Sequence, residues 1–230
     1  MRVAIVGYGY IADYHARALA RVKGAQLSAL LGRDPAKSLN FCERYGVTDT
    51  YTDPHELAAQ DDIDAVVIAW PNALHAPIAE MMMAHGKHVL VEKPMAMKGA
   101  EARSMGRVAD ERGVHLMVGH MWRFDREAQA LRRVVQEGHL GAIVKTKSYG
   151  IHAEWGPKGW FTQPELAGGG ALIDMGVHAI DTTRYLLGDP QPESVFATLS
   201  TRFGDYAVDD AGVLVITWEN QTVSIIESGW

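Results

Sequence analysis

The sequence predicts an α/β protein: a doubly wound parallel sheet in the N-terminal part, followed by an α+β domain whose sheet is mostly antiparallel. Short apolar runs alternate with helical patterns up to residue 119, a glycine-rich turn follows the first run, and three longer strand-like runs close the chain. Alternation of this kind is typical of a parallel sheet covered by helices, and adjacent strands with few helices are typical of an antiparallel or mixed sheet. We therefore expect one domain at residues 1–120 and a second at 121–230.

The composition predicts a folded protein and excludes several classes of protein. Of 230 residues, 47% are hydrophobic and 22% are charged, as in globular domains. The net charge of -6, without a long cluster of Lys and Arg, argues against a nucleic-acid partner, and no apolar run is long enough to span a membrane. The chain shows no signal-peptide pattern, and its one cysteine, Cys42, excludes an internal disulfide, so we expect a cytoplasmic protein with Cys42 buried.

The first strand and helix carry a dinucleotide-binding pattern. A short β-branched run is followed by the sequence GYGYIA and then by a helical pattern. Gly7 would form the tight turn, Gly9 would let a pyrophosphate approach the backbone, and Ala12 fills the third position of the motif. The helix N-terminus adds N–H groups that favour an anion. We predict a Rossmann dinucleotide site with Gly7, Gly9, Tyr10 and Ile11 at the cofactor; a glycine turn without a nucleotide is the alternative.

The residues after the second predicted strand, at 27–31, indicate which nicotinamide cofactor is bound. An acidic residue there takes the ribose 2′-hydroxyl, whereas a small residue followed by Arg suits a 2′-phosphate. The chain has Gly32, Arg33, Asp34 and Pro35 at this point. Asp before Pro is also a standard helix start, which gives Asp34 a structural explanation. Arg33 therefore favours NADP over NAD, and NAD stays the alternative.

The alternation of strands and helices continues to residue 119. Helices are predicted at 35–45, 54–59, 74–85 and 99–112, and strands near 50 and at 65–69, 88–92 and 115–119. Ligands of such sheets bind beyond the carboxyl ends of the strands, where the loops WPNALH and EKP follow two buried strands. In the first loop, Asn72 is either functional or a helix N-cap. In the second, Lys93 is either functional or a solvated surface lysine.

The second part of the chain has a different pattern. A helix is predicted at 124–137, strands at 143–152, 195–203, 212–218 and 222–228, and a loop rich in Trp, Gly and Pro at 155–170. A second helix is predicted in the segment 168–188, where three glycines precede the helical pattern. The second of these helices carries two stripes at helical spacing. One is apolar, with Ile173, Val177, Ile180 and Leu187.

The other stripe of this helix is polar and contains Asp174, His178, Asp181 and Tyr185. It is either the solvated face of an amphipathic helix or a row of groups able to exchange protons. We expect Asp181 to have a structural role, in capping or packing.

Four segments together resemble the Gfo/Idh/MocA family of NAD(P)-dependent oxidoreductases, relatives of glucose-fructose oxidoreductase and inositol dehydrogenase. They are GYGYIA, WPNALH, EKP and GGGALIDMGVHAIDTTRYLLG, and the resemblance spans the whole chain. The EKP and DxGxHxxD elements are its most specific part. The resemblance implies a dehydrogenase that transfers hydride between NADP or NAD and a CH–OH group of a sugar, cyclic polyol or similar hydroxylated molecule.

The resemblance also implies roles for individual residues. It implies that Lys93, Asp174 and His178 form the catalytic group, and that these three and Trp160 contact the substrate. It implies that the cofactor is bordered by Pro71, Asn72, His75, Glu92, Lys93 and Arg123.

General chemistry agrees with the implied catalytic group. Oxidation of a secondary alcohol needs a base for the hydroxyl proton and a donor that stabilises the forming carbonyl oxygen. Imidazoles titrate near neutrality, which suits His178 as the base, and Lys93 can donate to the oxygen. Asp174 can orient the imidazole or bind a neighbouring hydroxyl. No third ligand accompanies Asp174 and His178, so no metal is expected.

Several alternatives remain open from the sequence. One alternative is a catalytically silent cofactor-binding regulator, and another is an enzyme of a different, redox-cycling reaction type. Trp155, Trp160, Lys147 and His152 either line the substrate pocket or only pack. Members of the family are usually longer, so the second domain is expected to be incomplete, and the resemblance implies a homo-oligomer formed through the C-terminal sheet.

Overall fold

The protein divides into two compact units, Met1–Gly119 and His120–Trp230. The computed structural model describes residues 1–152 and 156–230. Trp155, considered above for the substrate pocket, lies outside the described residues. Within the described ranges, no helix combines the length and the apolar character needed to cross a membrane.

The first unit is a six-stranded parallel sheet with helices between its strands. Its elements are β1 (Arg2–Val6), α1 (Tyr10–Leu19), β2 (Gln26–Leu31), α2 (Pro35–Tyr45), β3 (Asp49–Tyr51), α3 (Pro54–Ala58), β4 (Ala65–Ile68), α4 (His75–Ala84), β5 (His88–Val91), α5 (Gly99–Arg112) and β6 (Leu116–Val118). The strand order is β3-β2-β1-β4-β5-β6, which is the order of a dinucleotide-binding sheet. The predicted parallel α/β fold of this part is confirmed.

Alternate residues of the central strands pack on opposite faces of this sheet. In β1, Ala4 and Val6 belong to one buried cluster, and Val3 and Ile5 belong to another. Each fully buried Val or Ile side chain contributes about 1.5–3 kcal/mol relative to exposure. The apolar runs therefore hold the sheet between two helical layers, and the strand ends that face ligands are fixed by the core.

The starts of α2 and α4 test two predicted helix N-caps, Asp34 and Asn72. Asp34 caps α2, because its Oδ1 accepts hydrogen bonds from the backbone N–H of Ala36 at 3.0 Å and of Lys37 at 3.1 Å, so the predicted N-cap is confirmed. The capping alternative for Asn72 is wrong. A 3₁₀ turn begins at Asn72, and α4 begins only at His75. The side chain of Asn72 is buried.

The second unit contains a four-stranded mixed sheet and a long helix. Its described elements are α6 (Arg126–Gln136), β7 (Lys145–Ile151), α7 (Pro164–Ala167), a π-helical turn (Leu172–Gly176), α8 (Val177–Leu186), β8 (Pro192–Ser200), β9 (Ala211–Trp218) and β10 (Val223–Gly229). The strand order is β7-β10-β9-β8, and only the β7–β10 pair is parallel. The predicted α+β domain with a mostly antiparallel sheet is confirmed.

The core of the second unit lies between α8 and one face of this sheet. Leu214, Ile216, Trp218 and Ile226 from the strands form a buried cluster with Ala179 of the helix. Trp218 is 1% exposed, and its indole N–H donates to Ser224 Oγ at 2.7 Å, so its polar atom is satisfied within the core. This packing fixes the helix that carries Asp174 and His178.

The helix predicted after the three glycines of segment 168–188 begins where the pattern indicated. Gly168 has a φ of +78° at the end of α7, and the helical backbone starts with the π turn at Leu172. Of the predicted apolar stripe, Ile180 and Leu187 pack against the buried cluster. The three glycines form the turn before the helix.

Candidate functional site

The glycine turn after β1 has the geometry that a dinucleotide needs. Gly7 has a φ of +110°, and a Cβ there would lie 2.6 Å from the carbonyl oxygen of Ala69. At Gly9, the residue before α1, a Cβ would meet nothing within 4 Å. Gly7 is therefore required by the backbone, whereas Gly9 leaves open space beside the helix N-terminus. The first N–H groups of α1 and the positive end of its dipole can hold a pyrophosphate in that space.

The other residues of the glycine motif take separate roles. Ala12 is fully buried, and its small side chain packs in the core beneath the helix. Tyr10 and Ile11 are exposed in the first turn of α1. The hydroxyls of Tyr10 and Tyr14 lie 2.9 Å apart, so these two rings form an exposed aromatic pair along α1.

The end of β2 presents a cation and has no room for an acidic side chain at Gly32. A Cβ on Gly32 would lie 2.5 Å from Ser38 Oγ and 2.7 Å from a ring carbon of Tyr8. The guanidinium carbon of Arg33 lies 4.9 Å from the centroid of the Trp70 ring, within cation–π distance. Since the Asp34 carboxylate caps α2, Arg33 is the charged group that this edge offers to a ligand.

His75 connects the two loops that follow β4 and β5. Its side chain is buried, with Nδ1 2.7 Å from the carbonyl oxygen of Pro94 and Nε2 2.8 Å from that of Trp70. Burial lowers the pKa of His75, and the two carbonyl contacts oppose that shift only in part. Each carbonyl belongs to a different loop, so His75 joins the WPNALH loop to the EKP loop.

The carboxylate of Glu92 is held beside Lys93 by a histidine from α1. His15 Nε2 lies 2.8 Å from Glu92 Oε1, and the backbone N–H of Lys93 donates to Glu92 Oε2 at 3.2 Å. Burial alone would raise the pKa of Glu92, but the contact with His15 and the Lys93 amide outweigh it and lower that pKa. A Cβ on Gly119 would lie 3.0 Å from the same carboxylate, so this position favours glycine.

Sequence reasoning missed His15. The residue lies in α1, six positions after Gly9, and 77 residues separate it from Glu92. The only local signal was a histidine on the inner side of a helix that otherwise packs apolar residues.

In the second unit, the three glycines allow a close approach of Asp209. The side chain of Asp209 accepts from Gly170 N at 2.7 Å and from Leu172 N at 2.8 Å, and its carbonyl accepts from Ala171 N at 2.7 Å. A Cβ on Gly170 would lie 1.8 Å from that carbonyl oxygen. Asp209 therefore fixes the turn that leads into the Asp174 segment, a role that sequence analysis did not assign.

The polar stripe of the long helix separates into two parts, of which the second is structural. Asp181 is 9% exposed and accepts from Arg123 Nε at 2.9 Å and Nη2 at 2.7 Å. This hydrogen bond and charge raise the pKa of Arg123. Arg132 stacks 4.0 Å from the centroid of the Tyr185 ring and pairs with Asp189 at 3.1 Å. Asp181 thus has the structural role that was expected.

Asp174 and His178 form the first part of the stripe. Asp174 lies on the π-helical turn, and its Oδ2 accepts from the indole N–H of Trp230 at 3.1 Å. His178 is half-buried one turn later, in α8. π-Helical turns inside helices occur frequently at functional sites. The residues described by the structure include no group of three or more His, Cys, Asp or Glu side chains arranged to hold a metal ion.

The other residues considered for the substrate pocket lie in separate surroundings within the second unit. Trp160 stacks on Phe161 with ring centroids 4.0 Å apart. Lys147 lies on β7 and pairs with Glu227 of β10 at 2.8 Å. The backbone N–H of His152 donates to Gly229 O at 3.1 Å, which extends the β7–β10 pairing by one residue.

Comparison with known proteins finds two family models that together match most of the chain. Residues 1–120 match the model described as "Oxidoreductase family, NAD-binding Rossmann fold", and residues 128–230 match the model described as "GFO/IDH/MocA C-terminal domain". The chain is 32% identical to D-glucoside 3-dehydrogenase of Escherichia coli (strain K12), with 100% of this chain and 70% of the relative covered. It is 32% identical to inositol 2-dehydrogenase of Rhizobium meliloti (strain 1021), with 92% and 62% covered.

A solved structure with the same fold is GenD2 from gentamicin A biosynthesis in complex with NAD. The TM-score is 0.93 at 30% identity, over 100% of this chain and 66% of that chain. The chain thus spans about two thirds of the length of the proteins that it matches.

Proposed function

The chain belongs to the GFO/IDH/MocA family of NAD-binding oxidoreductases, and from this premise we propose that it oxidises or reduces a CH–OH group of a sugar, cyclic polyol or similar hydroxylated molecule. The resemblance inferred from the sequence motifs is confirmed. The observation that carries the proposed activity is the presence of Lys93, Asp174 and His178 in a chain whose two parts both match the family. The named relatives, a glucoside dehydrogenase and an inositol dehydrogenase, support the substrate class.

The residues around the glycine turn fit a dinucleotide cofactor. Gly7 removes the Cβ that would collide with the neighbouring strand end, and the space at Gly9 opens onto the N–H groups of α1. When bound, a nicotinamide dinucleotide supplies the acceptor or donor of hydride. The protein's part is to bind, to orient the substrate hydroxyl and to move its proton.

We assign three roles in the reaction to side chains. His178 takes the hydroxyl proton during oxidation and returns it during reduction. The Lys93 ammonium donates to the substrate oxygen as its charge develops. Asp174, whose carboxylate is held by the Trp230 indole, binds a neighbouring hydroxyl or orients His178. Trp160 is proposed to contact the substrate.

The remaining cofactor residues are proposed to act by shaping loops. The side chains of His75, Glu92 and Arg123 are engaged by protein groups at hydrogen-bond distance. Together with Pro71 and Asn72, they would border the cofactor through the backbone that they hold.

The domain roles and the location of the protein follow the same proposal. We propose that residues 1–120 bind the dinucleotide and that residues 121–230 bind the substrate. A cytoplasmic location is proposed because the one cysteine, Cys42, is buried and has no second cysteine with which to form an internal disulfide.

A panel of substrates tests the proposed activity. Sugars, glycosides and cyclic polyols are incubated with NADP⁺ or NAD⁺, and the absorbance of the reduced nicotinamide is followed. At least one polyhydroxylated compound is expected to give steady turnover that is lost in the Lys93→Met variant. Tight cofactor binding without turnover over the whole panel would instead favour a cofactor-binding regulator.

Arg33 is expected to make the protein prefer NADP. Tyr8 and Ser38 fill the space beside Gly32, so an acidic side chain does not fit there. The carboxylate of Asp34 caps α2 and therefore does not compete with a 2′-phosphate. The Arg33→Ala variant should bind NADP about tenfold more weakly, because a charge-assisted contact is lost, and should bind NAD almost unchanged. Calorimetric Kd values for both cofactors measure this, with Arg21→Ala as an exposed control. A clear preference of the unmodified protein for NAD would contradict the assignment.

The C-terminal sheet is proposed to join copies of this chain. Its face opposite α8 exposes Phe196, Tyr149, Ile151 and Val213, and Phe196 is 70% exposed. Exposed apolar side chains that share one face of a sheet are typical of interaction surfaces.

The Phe196→Glu variant is therefore expected to convert an oligomer into single chains, because a charge would be buried in the contact. Light scattering coupled to gel filtration gives the mass, and Phe203→Glu, at an exposed loop residue, is the control. A single-chain mass for the unmodified protein would contradict the proposal.

A further inference from the structure

Two histidines hold the two neighbours of Lys93. On one side, His15 Nε2 contacts the Glu92 carboxylate at 2.8 Å; on the other, His75 Nδ1 contacts the Pro94 carbonyl oxygen at 2.7 Å. Both contacts are shielded from water: the side chains of His15 and Glu92 are 21% and 16% exposed, and His75 is 1% exposed. The backbone on each side of the lysine is thus fixed by an imidazole.

Each histidine connects the turn formed by residues 92–94, the lysine turn, to a different part of the proposed dinucleotide site. His15 lies in α1, the helix whose N-terminus follows the Gly7–Gly9 turn. His75 also contacts the carbonyl oxygen of Trp70 at 2.8 Å, and Trp70 carries the cation–π contact with Arg33. The lysine turn is therefore connected to the phosphate-binding helix through one imidazole and to the loop after β4 through the other.

The packing leaves these contacts little freedom to relax. Glu92 is confined between His15 and Gly119, where a Cβ would come within 3.0 Å of the carboxylate. The Lys93 amide binds the same carboxylate. Loss of either imidazole would leave a shielded carboxylate or carbonyl without one of its partners, which a folded protein relieves by shifting the backbone.

We propose that His15 and His75 are positioning residues that set the location of the Lys93 amine relative to the bound cofactor, by holding Glu92 and Pro94 respectively. This inference rests on the proposed role of Lys93 in the reaction. It assigns no contact with substrate or cofactor to either imidazole.

The test has two readouts, which are the ¹³C signal of the Lys93 amine in the protein without cofactor and the turnover number kcat. Lysines are methylated reductively with ¹³C-formaldehyde in the protein without cofactor, and the Lys93 signal is assigned by its loss in Lys93→Arg. In His15→Ala and His75→Gln, the Lys93 signal should move towards the position of exposed lysines, and kcat should fall about tenfold or more, since small displacements of a reacting group are costly. Cofactor Kd should change by a smaller factor than kcat, because the glycine turn is untouched.

Conservative and control variants separate positioning from general damage. His15→Gln, whose amide can still donate to Glu92, should keep kcat within about threefold of the unmodified protein. His55→Ala, at an exposed histidine of α3, should change neither signal nor rate. If the buried His75 variant does not fold, His15→Ala and His15→Gln still decide the matter.

The outcomes distinguish this inference from the proposed function. An unchanged Lys93 signal and an unchanged kcat in folded His15→Ala would overturn the positioning role while leaving the reaction intact. Full turnover in Lys93→Met would instead overturn the proposed role of the lysine. The ¹³C signal would then still report whether the histidines fix the lysine, without any claim about catalysis.

Discussion

Replacement of His178 by alanine is expected to lower turnover about a hundredfold or more and to leave cofactor affinity nearly unchanged. Positioned proton transfer contributes about 10²–10⁴-fold to the rate of such reactions, and alanine cannot accept the hydroxyl proton. His178 is not among the cofactor contacts proposed here, so the Kd of the dinucleotide should not depend on residue 178. Steady-state kcat and calorimetric Kd measure the two quantities separately.

The control for this prediction is His139→Ala in the same unit. His139 is exposed and pairs with Glu137 at 3.0 Å, so its loss should leave kcat unaltered. If His178→Ala retained the turnover of the unmodified protein, the imidazole would not be the base, and the assignment of the DxGxHxxD element would have to be revised.

Replacement of Gly170 by alanine is expected to lower the free energy of unfolding of the second unit by about 3 kcal/mol or more. A Cβ at this position would lie 1.8 Å from the carbonyl oxygen of Asp209, so the turn must open to admit it. Opening would break the hydrogen bonds from Gly170 N and Ala171 N to Asp209. Because Asp174 N donates to Gly170 O at 3.0 Å, the change would also displace the Asp174 segment.

Gly106→Ala is the matched control for the glycine prediction. Gly106 lies within α5, where a Cβ would meet nothing within 4 Å, so alanine should stabilise the helix by up to about 1 kcal/mol. Denaturant unfolding of both variants gives the comparison. Unaltered stability of Gly170→Ala would mean that Asp209 does not approach the glycine turn closely.

The parts of the fold that the sequence predicted depend on short-range patterns. The strand–glycine–helix sequence around Gly7, the cap formed by Asp34 before Pro35 and the alternation of apolar runs each involve neighbouring residues. Their physical causes, which are backbone freedom, capping and the periodicity of burial, act over a few positions. The right-handed crossovers between parallel strands then limit the possible orders of the first sheet.

The parts that could not be predicted depend on partners far apart in the sequence. The three glycines were placed in the loop before the helix, but nothing nearby reveals that Asp209, 39 residues after Gly170, approaches them. The polar stripe gave the helix face and a structural role for Asp181, but not the partner of Asp181. Asp181 is satisfied by Arg123, 58 residues away, and that pairing is visible only in the folded unit.

The positioning of Lys93 shows the same limit. The EKP motif was recognised as a segment, yet the two imidazoles that hold its neighbours come from α1 and from the start of α4. His75 was placed at the cofactor edge from the resemblance, whereas its ring nitrogens contact backbone carbonyls of two loops. Nothing in the local sequence indicates which carbonyl an imidazole will contact.

Lys93 and His178 are proposed to serve one chemical step, and a double-mutant cycle on kcat tests that most directly. Residues that act as a unit have strongly non-additive effects on turnover. The Lys93→Met/His178→Ala double variant is therefore predicted to be about as slow as the slower single variant. Rate losses that multiply independently, or single variants that retain full turnover, would contradict the account.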